Sequence, residues 1–156
     1  MATSTNTKKR TSTSTLPRVA VNEMGKLPPQ ALELEESVLG ALLIEKDAFA
    51  TIADLLRPES FYSVQHSVIF EAIRSLAAKD APIDILSVVE QLRSSGDLEK
   101  AGGVVYLSEL TRRVASAAHL RYHAQIVAQK STARDLISMA CQIEEKGYDE
   151  TQDIDV

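Results

Sequence analysis

From residue 27 onward the sequence predicts an all-α fold, a compact bundle of about five to six helices with one long helix at its end. Three observations carry this reading. The 156 residues are 44% hydrophobic but only 4% aromatic, with no Trp, and a core of Leu, Ile, Val and Ala suits helices better than a sandwich or barrel. Apolar residues recur at spacings of three and four in successive short stretches, bounded by Pro, Gly, Asp or Ser. Residues 117–146 contain neither Pro nor Gly.

The length corresponds to one domain with an appendage. The expected divisions are a Ser/Thr-rich basic tail over 1–26, a globular helical domain over 27–115, and a long helix with an acidic end over 116–156. Nine of the first 15 residues are Ser or Thr, with no hydrophobic period, which predicts a solvated, disordered tail. Residues 3–15 hold no apolar residue. They therefore form neither a secretory signal core nor the amphipathic helix of an organellar transit peptide.

The first helix is predicted from about Gln30 to Glu45. Pro28-Pro29 precede it, Glu33, Glu35 and Glu36 crowd its first turn, and Leu39, Leu42 and Leu43 share a face. The helix dipole accounts for the three acids. Asp47 is the expected N-cap of a second helix with Phe49, Ile52, Leu55 and Leu56 inward, ended by Arg57-Pro58. Ser63 caps a third, carrying Ile69, Ile73 and Leu76. Asp84 caps a fourth, whose Ile85, Val88, Val89 and Leu92 form an i, i+3, i+4, i+7 stripe, with Gly96 as its left-handed terminator.

Asp97 to Ala101 is expected as a short turn, and Gly102-Gly103 as a break into a fifth helix with Val104, Leu107 and Leu110 on one side, ending near Val114. The last helix runs from about Ala117 to Lys146, with Gly147 as its stop. At 1.5 Å per residue it reaches about 45 Å, more than the breadth of the globule. Its far half carries its own apolar stripe, Ala133, Leu136, Ile137, Ala140 and Ile143. This predicts a surface awaiting a cover, supplied by an antiparallel second helix or by a partner, and a chain that ends inside a larger unit.

The net charge is −5, but residues 1–26 carry +4 and the remainder, with 12 basic against 21 acidic side chains, carries −9. An acidic globule disfavours general phosphate binding and hence direct DNA binding. The longest apolar runs are too short to span a membrane. Cys141, the only cysteine, is expected as a small buried packing residue. No G-x-x-x-x-G-K-[ST] loop is present, so an ATP site is not expected. His119 and His123 stand four apart, but two ligands without a third His or a Cys make a poor metal site. His66 is expected to pack or to bond a side chain near a helix start. No carboxylate pair demands acid–base chemistry, so the sequence shows no catalytic constellation.

The run Glu33-Leu34-Glu35-Glu36-Ser37-Val38-Leu39-Gly40-Ala41-Leu42-Leu43-Ile44 resembles the opening helix of the amino-terminal domain of the DnaB family of replicative DNA helicases. Further matches follow in order: Phe61-Tyr62 then His66, Pro82-Ile83-Asp84, Gly102-Gly103 then Tyr106-Leu107, and Tyr122 with Ala124 and Ile126-Val127. The resemblance covers residues 27 to 156. His119 departs from it, standing where the family commonly has Asn.

The resemblance implies that the long helix is the first arm of a helical hairpin that pairs between neighbouring subunits. Six such domains would form a collar, a trimer of dimers, above a ring of motor domains. It further implies docking of primase, action of a helicase loader on the same assembly, DNA contact only through the full ring, ATP and Mg only in the motor domain, and a bacterial cytoplasmic setting. Tyr122, Ile126, Arg134, Ile137, Met139 and Ile143 are the candidate partner or oligomer contacts. Arg134 matches a recurring family arginine and could meet a partner carboxylate. Three competing readings fit the sequence less well. The carboxy-terminal helicase-binding domain of primase is similar in fold, but the Leu39-Gly40-Ala41-Leu42-Leu43 and Pro82-Ile83-Asp84 motifs favour the helicase. A small helical DNA-binding protein would need a basic recognition helix, and Arg112, Arg113 and Arg121 are too sparse to make one. An enzyme of unknown type would need a site, and the sequence shows none.

Overall fold

A computed structural model describes residues 25–114, 116–149 and 151. Five α-helices and two 3₁₀ turns make up its secondary structure, with no strand among the described residues. The helices are α1 (Leu32–Ile44), α2 (Val64–Ala78), α3 (Ile85–Ser95), α4 (Gly103–Arg113) and α5 (Leu120–Tyr148). The tail expected over 1–26 lies almost wholly outside the described residues.

Helix α1 occupies the middle of the bundle and touches α2, α4 and α5. Its Val38, Leu39, Gly40, Ala41, Leu42 and Leu43 are all buried, so the helix is covered nearly all round at its carboxy-terminal half, as a central core helix must be. Ile69, Phe70 and Ile73 of α2, Val88 and Leu92 of α3, and Leu107 and Leu110 of α4 close the core. Phe70 is flanked by Phe61 and Phe49, with ring centroids 4.9 and 5.9 Å away. These tilted contacts suit aromatic quadrupoles better than face-to-face stacking.

Helix α3 follows its local signals. Asp84 Oδ1 accepts from the backbone N–H of Ser87 at 2.8 Å. Gly96 ends the helix at φ 77°, a conformation that an L side chain resists.

Four local expectations are corrected. The second predicted helix is only a 3₁₀ turn, Ala48–Thr51, continued by loose turns to Leu56. Asp47 stands there at φ 64° with no side-chain cap bond. Ile52 and Leu56 are nonetheless buried, because the segment before Pro58 is too short for a nucleated helix and tertiary burial sets its path. Ser63 occupies the N-cap position of α2 without a side-chain cap bond. Helix α5 runs through Gly147 to Tyr148. Cys141 is exposed rather than buried, since it lies beyond the last residues that α5 packs against the core. A fifth detail differs on α4: Val104 is 45% exposed, while Leu107 and Leu110 carry the burial.

Candidate interaction surface

The amino-terminal half of α5 is held against the globule by one stripe. Leu120, Ala124, Val127 and Ser131 are its buried residues, at spacings of four, three and four, which place them on one helical face. Polar contacts reinforce it. Arg121 donates to Asp54 at 3.3 Å, a hydrogen bond that holds the Asp54 carboxyl below its ordinary value. His123 Nδ1 lies 3.2 Å from Ser37 Oγ. Arg134 donates to the carbonyl oxygens of Pro29 and Ser60, both at 2.8 Å, and its guanidinium sits 5.6 Å from the Tyr62 ring centroid, within cation–π range.

Arg134, expected to reach a partner carboxylate, is therefore engaged within its own chain. The reason is angular. Successive residues turn about 100° around a helix axis, which puts Arg134 on the same side as the buried stripe. The opposite side carries Tyr122, Ile126, Ala133, Leu136, Ala140 and Ile143. Tyr122 is 63% exposed, Leu136 61% and Ile143 69%, whereas Ile126 is half-buried. Ile137 and Met139 flank this line and are exposed. The apolar seam thus begins on the anchored half of α5, facing away from the globule, and continues along the projecting half.

A second cluster lies at the seam of α1, α2 and α4. Glu35 is 1% exposed. Its Oε1 accepts from the Tyr62 backbone N–H at 2.7 Å and its Oε2 from that of Ser63 at 3.4 Å. His66, also buried, places Nδ1 2.6 Å from Glu35 Oε2 and Nε2 2.7 Å from Tyr106 Oη. The Tyr106 hydroxyl reaches Glu36 Oε1 at 3.4 Å, and Arg113 closes the chain on the other Glu36 oxygen. Burial, then the Glu36 charge, pushes the Tyr106 hydroxyl up to about 12.

The helix dipole is thus not a sufficient account of Glu35 and Glu36. Glu35 organises the turn into α2, and Glu36 ties α1 to α4. A signal was present in the sequence. Glu35 stands three, four and seven residues before Val38, Leu39 and Leu42, so it shares the core face. His66 bonds a side chain near a helix start, in keeping with the expectation for it. His119 and His123 have ring centroids 6.1 Å apart. Among the described residues no three His, Cys, Asp or Glu side chains gather as a metal site would require, and no helix is long and apolar enough to cross a membrane.

A family profile described as DnaB-like helicase N terminal domain matches residues 27–129. The chain belongs to the DnaB-like helicase N-terminal domain family. It is 47% identical over 131 residues to the replicative DNA helicase DnaB of Rhodothermus marinus, covering 84% of this chain and 14% of that protein. It is 41% identical over 131 residues to the DnaB of Geobacillus stearothermophilus, covering 84% and 29%. The chain therefore spans less than a third of the length of these curated relatives.

Among solved structures, the N-terminal domain of DnaB helicase from Mycobacterium tuberculosis superposes with a TM-score of 0.78 at 38% identity, over 81% of this chain and 90% of that one. A DnaB-like replicative helicase, described together with its interactions with primase, matches with a TM-score of 0.65 at 31% identity, over 74% of this chain and 27% of that one. The all-α architecture is thus that of a DnaB N-terminal domain, and the seam on α5 is a feature of this DnaB-like chain to be accounted for.

Proposed function

We propose that this DnaB-like domain is the non-catalytic collar of a hexameric replicative helicase, joining subunits and docking primase. The observation that carries the reading is the outward apolar seam on α5. A seam on the side of a helix opposite its own core cannot be buried by that core, and a two-fold mate covers such a surface by presenting the same one. Apolar burial contributes roughly 25 cal/mol per Å² before association costs are met. Tyr122, Ile126, Ile137, Met139 and Ile143 are the contact residues in this reading, and Arg134 holds the helix that presents them. The solved helicase described with primase supports primase as the second partner.

In the same reading, ATP hydrolysis with Mg, DNA unwinding and loader action belong to other parts of a full-length helicase, and the collar domains assemble as a trimer of dimers. The balance of −9 over residues 27–156 argues for DNA contact through a complete ring rather than through this domain.

Sedimentation equilibrium across a concentration series, with and without the carboxy-terminal domain of the matching primase, tests the proposal. Concentration-dependent dimers and a heavier species with primase are expected. A strict monomer that does not change with primase would remove both halves of the reading.

A further inference from the structure

A groove of about 460 Å³ lies between α2 and α3, and no residue of α5 lines it. Val68, Ala72 and Leu92 are among its apolar residues, and its charged residues are Glu59, Glu71, Asp97 and Arg74, three carboxylates against one guanidinium. Glu71 is tied to Arg74 at 2.8 Å and Asp97 to Lys100 at 3.1 Å. Surface pairs of this kind contribute little and can exchange partners. Glu59 is exposed and has no ion-pair partner among the described residues. The collar role makes no use of this groove, and its charge favours a basic occupant.

The chain carries such an occupant, and Arg134 fixes where it starts. Its guanidinium bonds the carbonyl oxygens of Pro29 and Ser60, both at 2.8 Å, so the segment that enters α1 lies beside the turn Pro58–Ser60. Pro58 and Glu59 of that turn line the groove. Residues 1–26 therefore join the globule next to one wall of it. They carry +4, with Lys8, Lys9 and Arg10 in a row, against −9 for the remainder. Fifteen residues separate Arg10 from Gly25, enough to span at most about 50 Å. Helix α2, the other long wall, is only about 22 Å from end to end, so the basic cluster can reach any part of the groove. A tether of this length gives an effective concentration of millimolar order, at which even a weak contact is populated.

We propose that the α2–α3 groove is a docking site for the chain's own basic tail, with Lys8, Lys9 and Arg10 seated against Glu59, Glu71 and Asp97. Docked there, the tail covers the α2–α3 face and leaves the α5 seam open. The contact is independent of what covers that seam.

Paramagnetic NMR of the full chain tests it. A spin label is attached at Ser12→Cys in a Cys141→Ser background, where the replaced thiol is exposed. Amide broadening is expected to be strongest at Glu59, Val68, Glu71 and Asp97. It should be lost as salt is raised from about 0.05 M to about 0.5 M, which shortens the range of charge attraction. Reversal of the tail by Lys8→Glu, Lys9→Glu and Arg10→Glu together should also abolish it. Glu59→Lys alone should weaken it, and Glu59→Lys in the reversed-tail chain should restore part of it. Glu59 is exposed, so the fold should survive, with the core amide spectrum as the check. Broadening spread evenly over the surface or centred elsewhere would overturn the proposal. So would a pattern unchanged by tail reversal or by Glu59→Lys. A mixture of spin-labelled ¹⁴N chains and unlabelled ¹⁵N chains should show no groove broadening at low concentration. Broadening that arises only in that mixture would make a second copy's tail the occupant and would overturn docking within the chain.

Discussion

Gly40 sits where α1 and α4 cross, and a Cβ at this position would overlap the carbonyl oxygen of Leu110 and the Val114 side chain. In a helix with free space, Gly→Ala adds stability of about 1 kcal/mol. Here the sign should reverse, because the overlap with backbone must be relieved by separating two packed helices. Overpacking of this kind typically costs about 1 to 3 kcal/mol, so Gly40→Ala should lower the urea midpoint without changing the slope.

Tyr106 gives a second residue-scale prediction. Its hydroxyl is pushed up to about 12, first by burial and then by Glu36, against about 10 in an unfolded chain. A folded-state value above the unfolded one means that its contribution is complete below about pH 10 and is lost as pH rises toward about 12. Stability measured by denaturant titration should fall across that alkaline window, and the fall should be shallower in Tyr106→Phe.

At the scale of elements, α3 was legible because its signals are local. The Asp84 cap and the Gly96 terminator lie within a turn of the residues they serve, and the structure places both as the spacing required. The stretch from Asp47 to Leu56 was legible only as a buried segment. Its apolar positions point inward as their spacing suggests, but its conformation is decided by contacts that the segment does not contain. The Glu35–His66 pair spans 31 residues, and helix-start chemistry offered a simpler local explanation for the acid. Arg134 was hidden for a related reason: its helical face identifies the core side, but its acceptors Pro29 and Ser60 lie 105 and 74 residues away.

The Arg134 contacts predict how α5 is seated. Arg134→Ala removes two hydrogen bonds from a charged donor and leaves two carbonyls to find other partners, a loss of about 1.5 to 3 kcal/mol. Lys at this position should recover only part of it, because one ammonium cannot reproduce the guanidinium fork. Denaturation midpoints of the wild-type, Arg134→Ala and Arg134→Lys chains should fall in the order wild type, Lys, Ala. Equal midpoints for Lys and Ala would show that the fork geometry contributes nothing that an ammonium could partly replace.

At the scale of the molecule, the globule and the projecting part of α5 obey different rules. Residues 32 to about 131 bury a continuous core in which α1 is central. Beyond Arg134, every α5 side chain through Tyr148 is exposed. A helical stretch of that length without packing is marginal in water, since most helical stability in proteins comes from burying an apolar face. The far half of α5 should therefore owe its protection to whatever covers the seam. This joins the family assignment to a physical requirement: the collar reading needs the seam, and the seam needs a cover.

Amide hydrogen exchange over residues 135–148, measured at low and at high chain concentration, tests that claim most directly. The account predicts rapid exchange in the dilute chain and marked slowing at high concentration, confined to this stretch and removed by Ile143→Asp on the exposed face. The same rapid exchange at both concentrations, or slow exchange in the dilute chain, would contradict it.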